Sequence, residues 1–389
     1  MSLPLEGLSV IDFSKFLPGP YCTWLLADMG ADVIRIENPR EIAKQAKVFG
    51  WDRLSDQERL RLRETDILAR NKRSIMLEIG DDKALEAIKA LVATADIVVE
   101  DYRPGVLASL GLGYDALSAD NSRLIYASLT LCGQSGPYRD KPGHDPIALS
   151  IAGVQSRVGE DPEAPNFAGI PAADVITGTH AAFAILAALR AREMTGHGQH
   201  LDVAMSDCAM SLLVNVLSRH PDVSQIPPRG SRRADMGLWK TRDGSFLCTT
   251  DMEPRYWAKF CEAVGRSDLI PEQHNTERRA EIRSALEEIF ASKDRAEWLE
   301  ILGAAGTQFA PVLSVAEALT DPHNQARGMV ISHPGSDGRA IRQLGQPVRV
   351  GGETRIANLG RAPGADTIDI LSGIGLDTEQ IKQLSGQGA

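Results

Sequence analysis

Along the first third of the chain, short apolar β-branched runs alternate with longer amphipathic stretches. Residues 8–13 (LSVIDF) predict a strand. The turn Leu17-Pro18-Gly19-Pro20 follows, then a helical stretch over 21–29 with Gly30 placed to close it. Residues 32–36 (DVIRI) predict the next strand. This strand–helix–strand spacing is that of a βαβ unit, because parallel neighbours need a long crossover. The alternation repeats: strand at 74–79, helix at 83–94, strand at 96–100, short helix at 106–110, strand at 124–129. Repeated βαβ units predict an α/β fold, a Rossmann-like parallel sheet with ligands at the carboxyl ends of its strands.

Further along the texture changes. Residues 52–70 are dense in Arg, Asp and Glu and predict a charged, solvated helix or loop. Residues 175–192 are rich in Ala and Leu, a helix of roughly 27 Å at ~1.5 Å per residue. The turn Thr195-Gly196-His197-Gly198-Gln199 stops it, and 201–217 predict a short strand followed by helix. Residues 221–237 (PDVSQIPPRGSRRADMG) have no period and predict a linker or active-site loop. A new unit runs from 238 to about 313, with two strands around Asp243-Gly244 and amphipathic helices at 278–289 and 296–302. Residues 321–327 open a return segment, and a Pro/Gly-rich tail from 345 ends in a short helix at 378–384. The expected organisation is a large α/β domain with long linker helices (1–220), a smaller α+β domain (221–320) and a return segment completing the large domain (321–389).

Composition narrows the function. At 389 residues the chain is long enough for two or three domains of ~150 residues and a sizeable core. Asp plus Glu outnumber Lys plus Arg by 52 to 42, a net charge of −10, which argues against a general nucleic-acid binder but leaves room for one basic pocket. No apolar run of ~18–20 residues stands out, so no membrane partner is expected. Residues 1–8 lack a signal-peptide pattern, and 385–389 carry no targeting address. The five cysteines (Cys22, Cys132, Cys208, Cys248, Cys261) are odd in number with no CxxC spacing. They point to reduced thiols in the cytoplasm and to no zinc or other metal site.

Several motifs lead nowhere. Gly111-Leu-Gly113-Tyr-Asp-Ala116 fits G-x-G-x-x-A, but no strand directly precedes it, so no dinucleotide cofactor is expected. P-loop and GxSxG patterns are absent. His197 and His200 lie in a polar turn without further ligands, and His180 lies inside an Ala-rich helix.

Three residues carry more. His144, in Gly143-His144-Asp145-Pro146, follows a Gly/Pro loop after a strand and precedes an apolar helix. It is placed either as a general base beside a helix N-terminus or as a neighbour of a helix cap at Asp145. Asp174 precedes the long apolar helix, either as its N-cap or as a carboxylate beside free N–H groups able to hold an oxyanion. Glu253, in Asp251-Met252-Glu253-Pro254, opens a helix and suits its dipole.

Residues 7–39 (GLSVIDFSKFLPGPYCTWLLADMGADVIRIENP) resemble the opening of the class III CoA-transferase (CaiB/BaiF) and α-methylacyl-CoA racemase superfamily. So do Asn71-Lys72-Arg73-Ser74, Asp101-Tyr102-Arg103-Pro104-Gly105, Gly133-Gln134-Ser135-Gly136-Pro137, the 195–199 turn and Asp321-Pro322-His323, in family order across the chain. Gly143-His144-Asp145 resembles the racemase branch's GHD motif. Glu253-Pro254-Arg-Tyr resembles its EPxF/Y stretch. The glycine-rich loop of oxalate-type transferases and the glutamine some transferases carry at Leu17 are absent. Asn38 stands where the racemase usually has arginine, and Val175-Ile176-Thr177-Gly178 replaces its glycine-rich helix start.

The resemblance implies an enzyme that epimerises 2-methylacyl-CoA thioesters, with His144 and Asp174 as bases on opposite faces and Glu253 supporting His144. Its alternative is a CoA-transferase in which Asp174 is the nucleophile and forms an anhydride and then a CoA thioester. Either needs no resident cofactor, since CoA is the substrate's handle. The implied CoA contacts are Arg35, Asn38, Leu77, Asp101, Tyr102, Arg103 and Gly143. Arg35, Arg103 and Asn71-Lys72-Arg73 are expected to form a basic rim for its phosphates. An interlocked homodimer is implied as well.

Overall fold

Apolar runs buried on both faces become the parallel strands of the central sheet, as the hydrophobic pattern requires. The computed structural model describes residues 3–159, 161, 163–228, 233–350 and 358–384. Its strands β1 (Ser9–Asp12), β2 (Asp32–Glu37), β3 (Lys72–Met76), β4 (Ile97–Glu100), β5 (Ile125–Thr130) and β6 (His200–Ala204) pair in the order β3-β2-β1-β4-β5-β6. Every pairing is parallel. The order reverses between β1 and β4, which opens a crevice at their carboxyl ends.

Helices cover both faces of this sheet. On one side, Ile88 and Leu91 of the helix Asp82–Ala93 join Ile370, Leu371 and Ile381 of the return segment. On the other, Cys22 and Leu26 of the first helix, Pro18–Asp28, meet Ala181 and Ile185 of the long helix Ala172–Thr195. Small residues let these two helices approach: a Cβ on Gly178 would stand 2.6 Å from the Pro18 carbonyl oxygen. The long helix corrects one sequence expectation. It is long and apolar enough to cross a membrane by length and composition alone, because apart from Asp174 its charged residues lie in the last turns. Its inner side packs as a core helix.

The charged segment is also less solvated than expected. A capping box of Ser55 and Glu58 starts the helix Asp56–Thr65. Beyond it, Arg70 is buried, pairs with Asp28 at 2.5 Å and donates to the Leu344 carbonyl at 2.5 Å.

The chain forms two units. The first holds Met1–Val158, Asn166–Ile226 and Gly328–Ala389; the second holds Gly159–Pro165 and Pro227–Arg327. In the second, β7 (Met236–Lys240), β8 (Phe246–Thr250) and β9 (Phe309–Pro311) form an antiparallel sheet beside a core of Trp239, Trp257, Phe260, Phe290 and Trp298. The return segment carries the hairpin β10 (Val330–Pro334) and β11 (Ala340–Leu344). It then ties to β3, where the Asp366 carboxylate accepts from the Ser74 N–H at 2.9 Å. Of the loop expected at 221–237, residues 229–232 lie outside the described residues, as do 351–357 and 385–389 of the tail.

Candidate active site

At the crevice between β1 and β4 lies a cavity of about 310 Å³. Loops after four strands line it: Phe16 and Pro18 after β1, Asp101 to Pro104 after β4, Leu131 and Arg139 to His144 after β5, and Met205 after β6. Asp174 enters from the start of the long helix. The first unit thus brings together His144, Asp174, Asp101, Tyr102, Arg103 and Gly143 from the sequence-derived set.

His144 occupies the N-cap position of the helix Asp145–Ile151, yet its side chain makes no capping bond. Its exposed ring meets Phe16 edge-on, with centroids 5.5 Å apart. Gly143 allows the loop to press inward, since a Cβ there would come within 2.8 Å of Leu131 and 2.9 Å of Ile147. Asp145 does not cap its own helix. Its buried carboxylate crosses to the long helix and accepts from the N–H groups of Ala173 (2.5 Å) and Asp174 (3.2 Å).

This changes the expected role of Asp174. The N-cap position belongs to Pro171, and Asp174 lies in the first turn. The N–H groups at this helix start already have acceptors: Ala172 donates to Ile170, Ala173 and Asp174 to Asp145, and Val175 to Pro171. The expected oxyanion site at the first-turn amides is therefore occupied by protein. Burial pushes the Asp174 carboxyl up to about 7, and the nearby charges of Asp145 and Asp101 act in the same direction.

On β4, burial pushes Glu100 up to about 7 against its bonds from Ser128 and the Tyr102 N–H. Asp101 is pushed up to about 6 by burial, although one oxygen accepts from the N–H groups of Lys15 (2.9 Å) and Phe16 (3.3 Å). The Lys15 ammonium sits 3.4 Å over the Tyr102 ring.

The other expected contacts lie off this cavity. Arg35, on β2, stands 3.7 Å from Glu37. Asn38 uses its side-chain oxygen to cap the helix Pro39–Phe49, accepting from the Arg40 N–H at 3.0 Å. Leu77 has no exposed surface and belongs to the core, so it offers nothing for CoA to touch. Lys72 leaves the expected basic rim too. Drawn inward by Asp12, it is buried, bonding Asp12 at 3.1 Å, Thr23 at 2.6 Å and the Pro20 carbonyl at 3.0 Å. Asn71 donates to Asp28 at 2.7 Å, and Arg73 pairs with Asp32. Of the expected rim, Arg103 lines the cavity, where Arg139 and Lys141 join it. Sequence reasoning missed Arg139 and Lys141, although both lie in the Gly/Pro loop that leads to His144.

Glu253 belongs to the second unit. It sits at the N-cap position of the helix Pro254–Ala263 without a capping bond. With its amide turned to satisfy its neighbours, Gln308 donates to Glu253 at 3.2 Å. His200 is no free turn histidine: it stacks on Tyr114 and lies 2.9 Å from the Ser128 hydroxyl. Among the described residues, no group of three or more His, Cys, Asp or Glu is arranged to hold a metal ion.

The family described as CoA-transferase family III matches residues 5–367. The chain is 33% identical to an acyl-CoA transferase of Fusarium pseudograminearum, covering 99% of this chain and 88% of that one. It is 30% identical to the human alpha-methylacyl-CoA racemase, covering 98% and 96%. Among solved structures it is similar to a CAIB/BAIF family protein from Brucella suis, with a TM-score of 0.81, 27% identity and coverage of 96% and 100%. From the parallel sheet and its crevice to these whole-length matches, the chain belongs to CoA-transferase family III, a family of enzymes.

Proposed function

We propose that this enzyme epimerises 2-methylacyl-CoA thioesters. The carrying observation is that His144 and Asp174 line one cavity and that Asp174 is held near 7. A group that gains and loses its proton near neutral pH suits proton transfer, whereas a nucleophilic carboxylate works best ionised. In the proposed reaction, one of the pair removes the α-proton and the C–H electrons move into an enolate. The other returns a proton to the opposite face. Glu253 is the third proposed catalytic residue. The acyl-CoA is substrate, and no resident cofactor is used. Arg103, Arg139 and Lys141 attract its phosphates.

The protein works as a homodimer in the cytoplasm. The exposed apolar side chains of Phe183, Leu186 and Met194 on the long helix, and of Met210 and Leu217 beyond it, support the dimer. Five free cysteines support a reducing compartment.

The test is incubation with (R)- or (S)-2-methylacyl-CoA in D₂O without an acceptor acid. Deuterium at the α-carbon is expected. No exchange, together with passage of CoA to added succinate or oxalate, overturns the proposal in favour of CoA transfer through Asp174.

A further inference from the structure

Two carboxyl groups, Asp101 and Asp174, enter the cavity from different elements, and the cations around them point elsewhere. Asp101 spends one oxygen on the N–H groups of Lys15 and Phe16. Its other oxygen is buried with no hydrogen-bond partner among the described residues. The Lys15 ammonium makes no ion pair with it, being engaged with Glu41 at 2.5 Å and the Tyr102 ring, though its charge still favours the ionised form of Asp101. Arg139 pairs with Asp140 at 2.7 Å, and Lys141 sits 5.4 Å from the Tyr138 ring centroid. Arg103 is exposed. The other charges near the pair are carboxylates: Asp12 and Glu100 beside Asp101, and Asp145 beside Asp174, where it acts more strongly than Asp101. Asp12 differs from Asp101 in having Lys72 beside it.

Two like charges in one partly desolvated cavity, neither with an ion-pair partner, resist ionising together. Their protons then leave in two steps that belong to the pair. We infer that Asp101 is a positioning residue for Asp174: the two carboxyls share one proton in the working range, so that Asp174 meets the substrate as an acid while His144 acts as base. This deepens the epimerase proposal and rests on it for the assignment of roles. The sharing of the proton does not.

The experiment is Asp101→Asn, which keeps an oxygen for the Lys15 and Phe16 N–H groups and removes the charge. In the kcat/KM profile for α-deuterium exchange, the limb belonging to Asp174 is expected to move down by about one pH unit. At neutral pH the melting transition should not fall, because burial penalises the Asp101 charge. A limb that stays in place or moves up overturns the inference. Difference infrared titration of the ligand-free protein provides a second readout. The protonated-carboxyl band present at neutral pH in the wild type should weaken both in Asp101→Asn and in Asp174→Asn. A band unchanged in either variant overturns the inference too. If the wild type exchanges no deuterium, the epimerase proposal falls, and the infrared titration still decides whether the pair shares a proton.

Discussion

Lys72 and Asp12 face each other with almost no exposed surface, at 2% and 0% of their side chains. Lys72, Arg35 and the hydroxyls of Ser14 and Thr23 outweigh burial and hold the Asp12 carboxyl below its usual range. Breaking such a buried pair leaves one charge stranded, at ~3–5 kcal/mol. Lys72→Met alone should therefore lower stability in chemical denaturation by about that amount, and Lys72→Met with Asp12→Leu by clearly less. Asp174 shows the opposite balance. Its folded carboxyl titrates near 7 against 3.8 in a free side chain, so the folded state holds the proton more tightly. Stability from this group is fully present below about 3.8, falls as pH rises towards 7, and stays lost above that. Asp174→Asn should consequently melt higher than the wild type at pH 8 and match it near pH 4, while losing ~10²–10⁴-fold in exchange rate. Equal melting shifts at both pH values would contradict this.

At the scale of elements, the site depends on how two helices meet. Gly178 follows Asp174 by one turn, and it permits the contact with Pro18, which itself lines the cavity. Gly178→Val should force the helices apart at a cost of ~1–3 kcal/mol and lower kcat, because Asp174 moves with its helix. Asp145 holds the same helix start from the side. Asp145→Ala should cost ~1–2 kcal/mol, as the loss of a cap does, and should reduce activity without touching His144 itself. Denaturation curves measured beside exchange kinetics check both.

For the whole molecule, the exposed apolar stretch on the long helix is the feature that a lone chain leaves unexplained. Phe183→Glu combined with Leu186→Glu should convert the proposed dimer into a monomer in light scattering, with an unchanged far-ultraviolet spectrum. A variant that remains dimeric would place the dimer contact elsewhere.

Local periodicity was enough to predict the alternating strands and helices of the parallel sheet, the hairpin around Asp243-Gly244 and the long helix, expected over 175–192 and found at Ala172–Thr195. The loop after a strand made His144 a candidate and the helix start made Asp174 one, and the resemblance to a known family gave both a role. Periodicity reports on neighbours within one element, and there it sufficed. It could not tell that Asp145 reaches across to Ala173, a separation of 28 residues, instead of capping its own helix. Nor could it tell that Lys72 turns inward to Asp12, that Leu77 is wholly buried, or that Arg139 and Lys141 reach the cavity. A cap, a buried ion pair and a pocket wall are formed between elements. Their partners are chosen when packing removes water and each polar group takes the acceptor or donor left within reach.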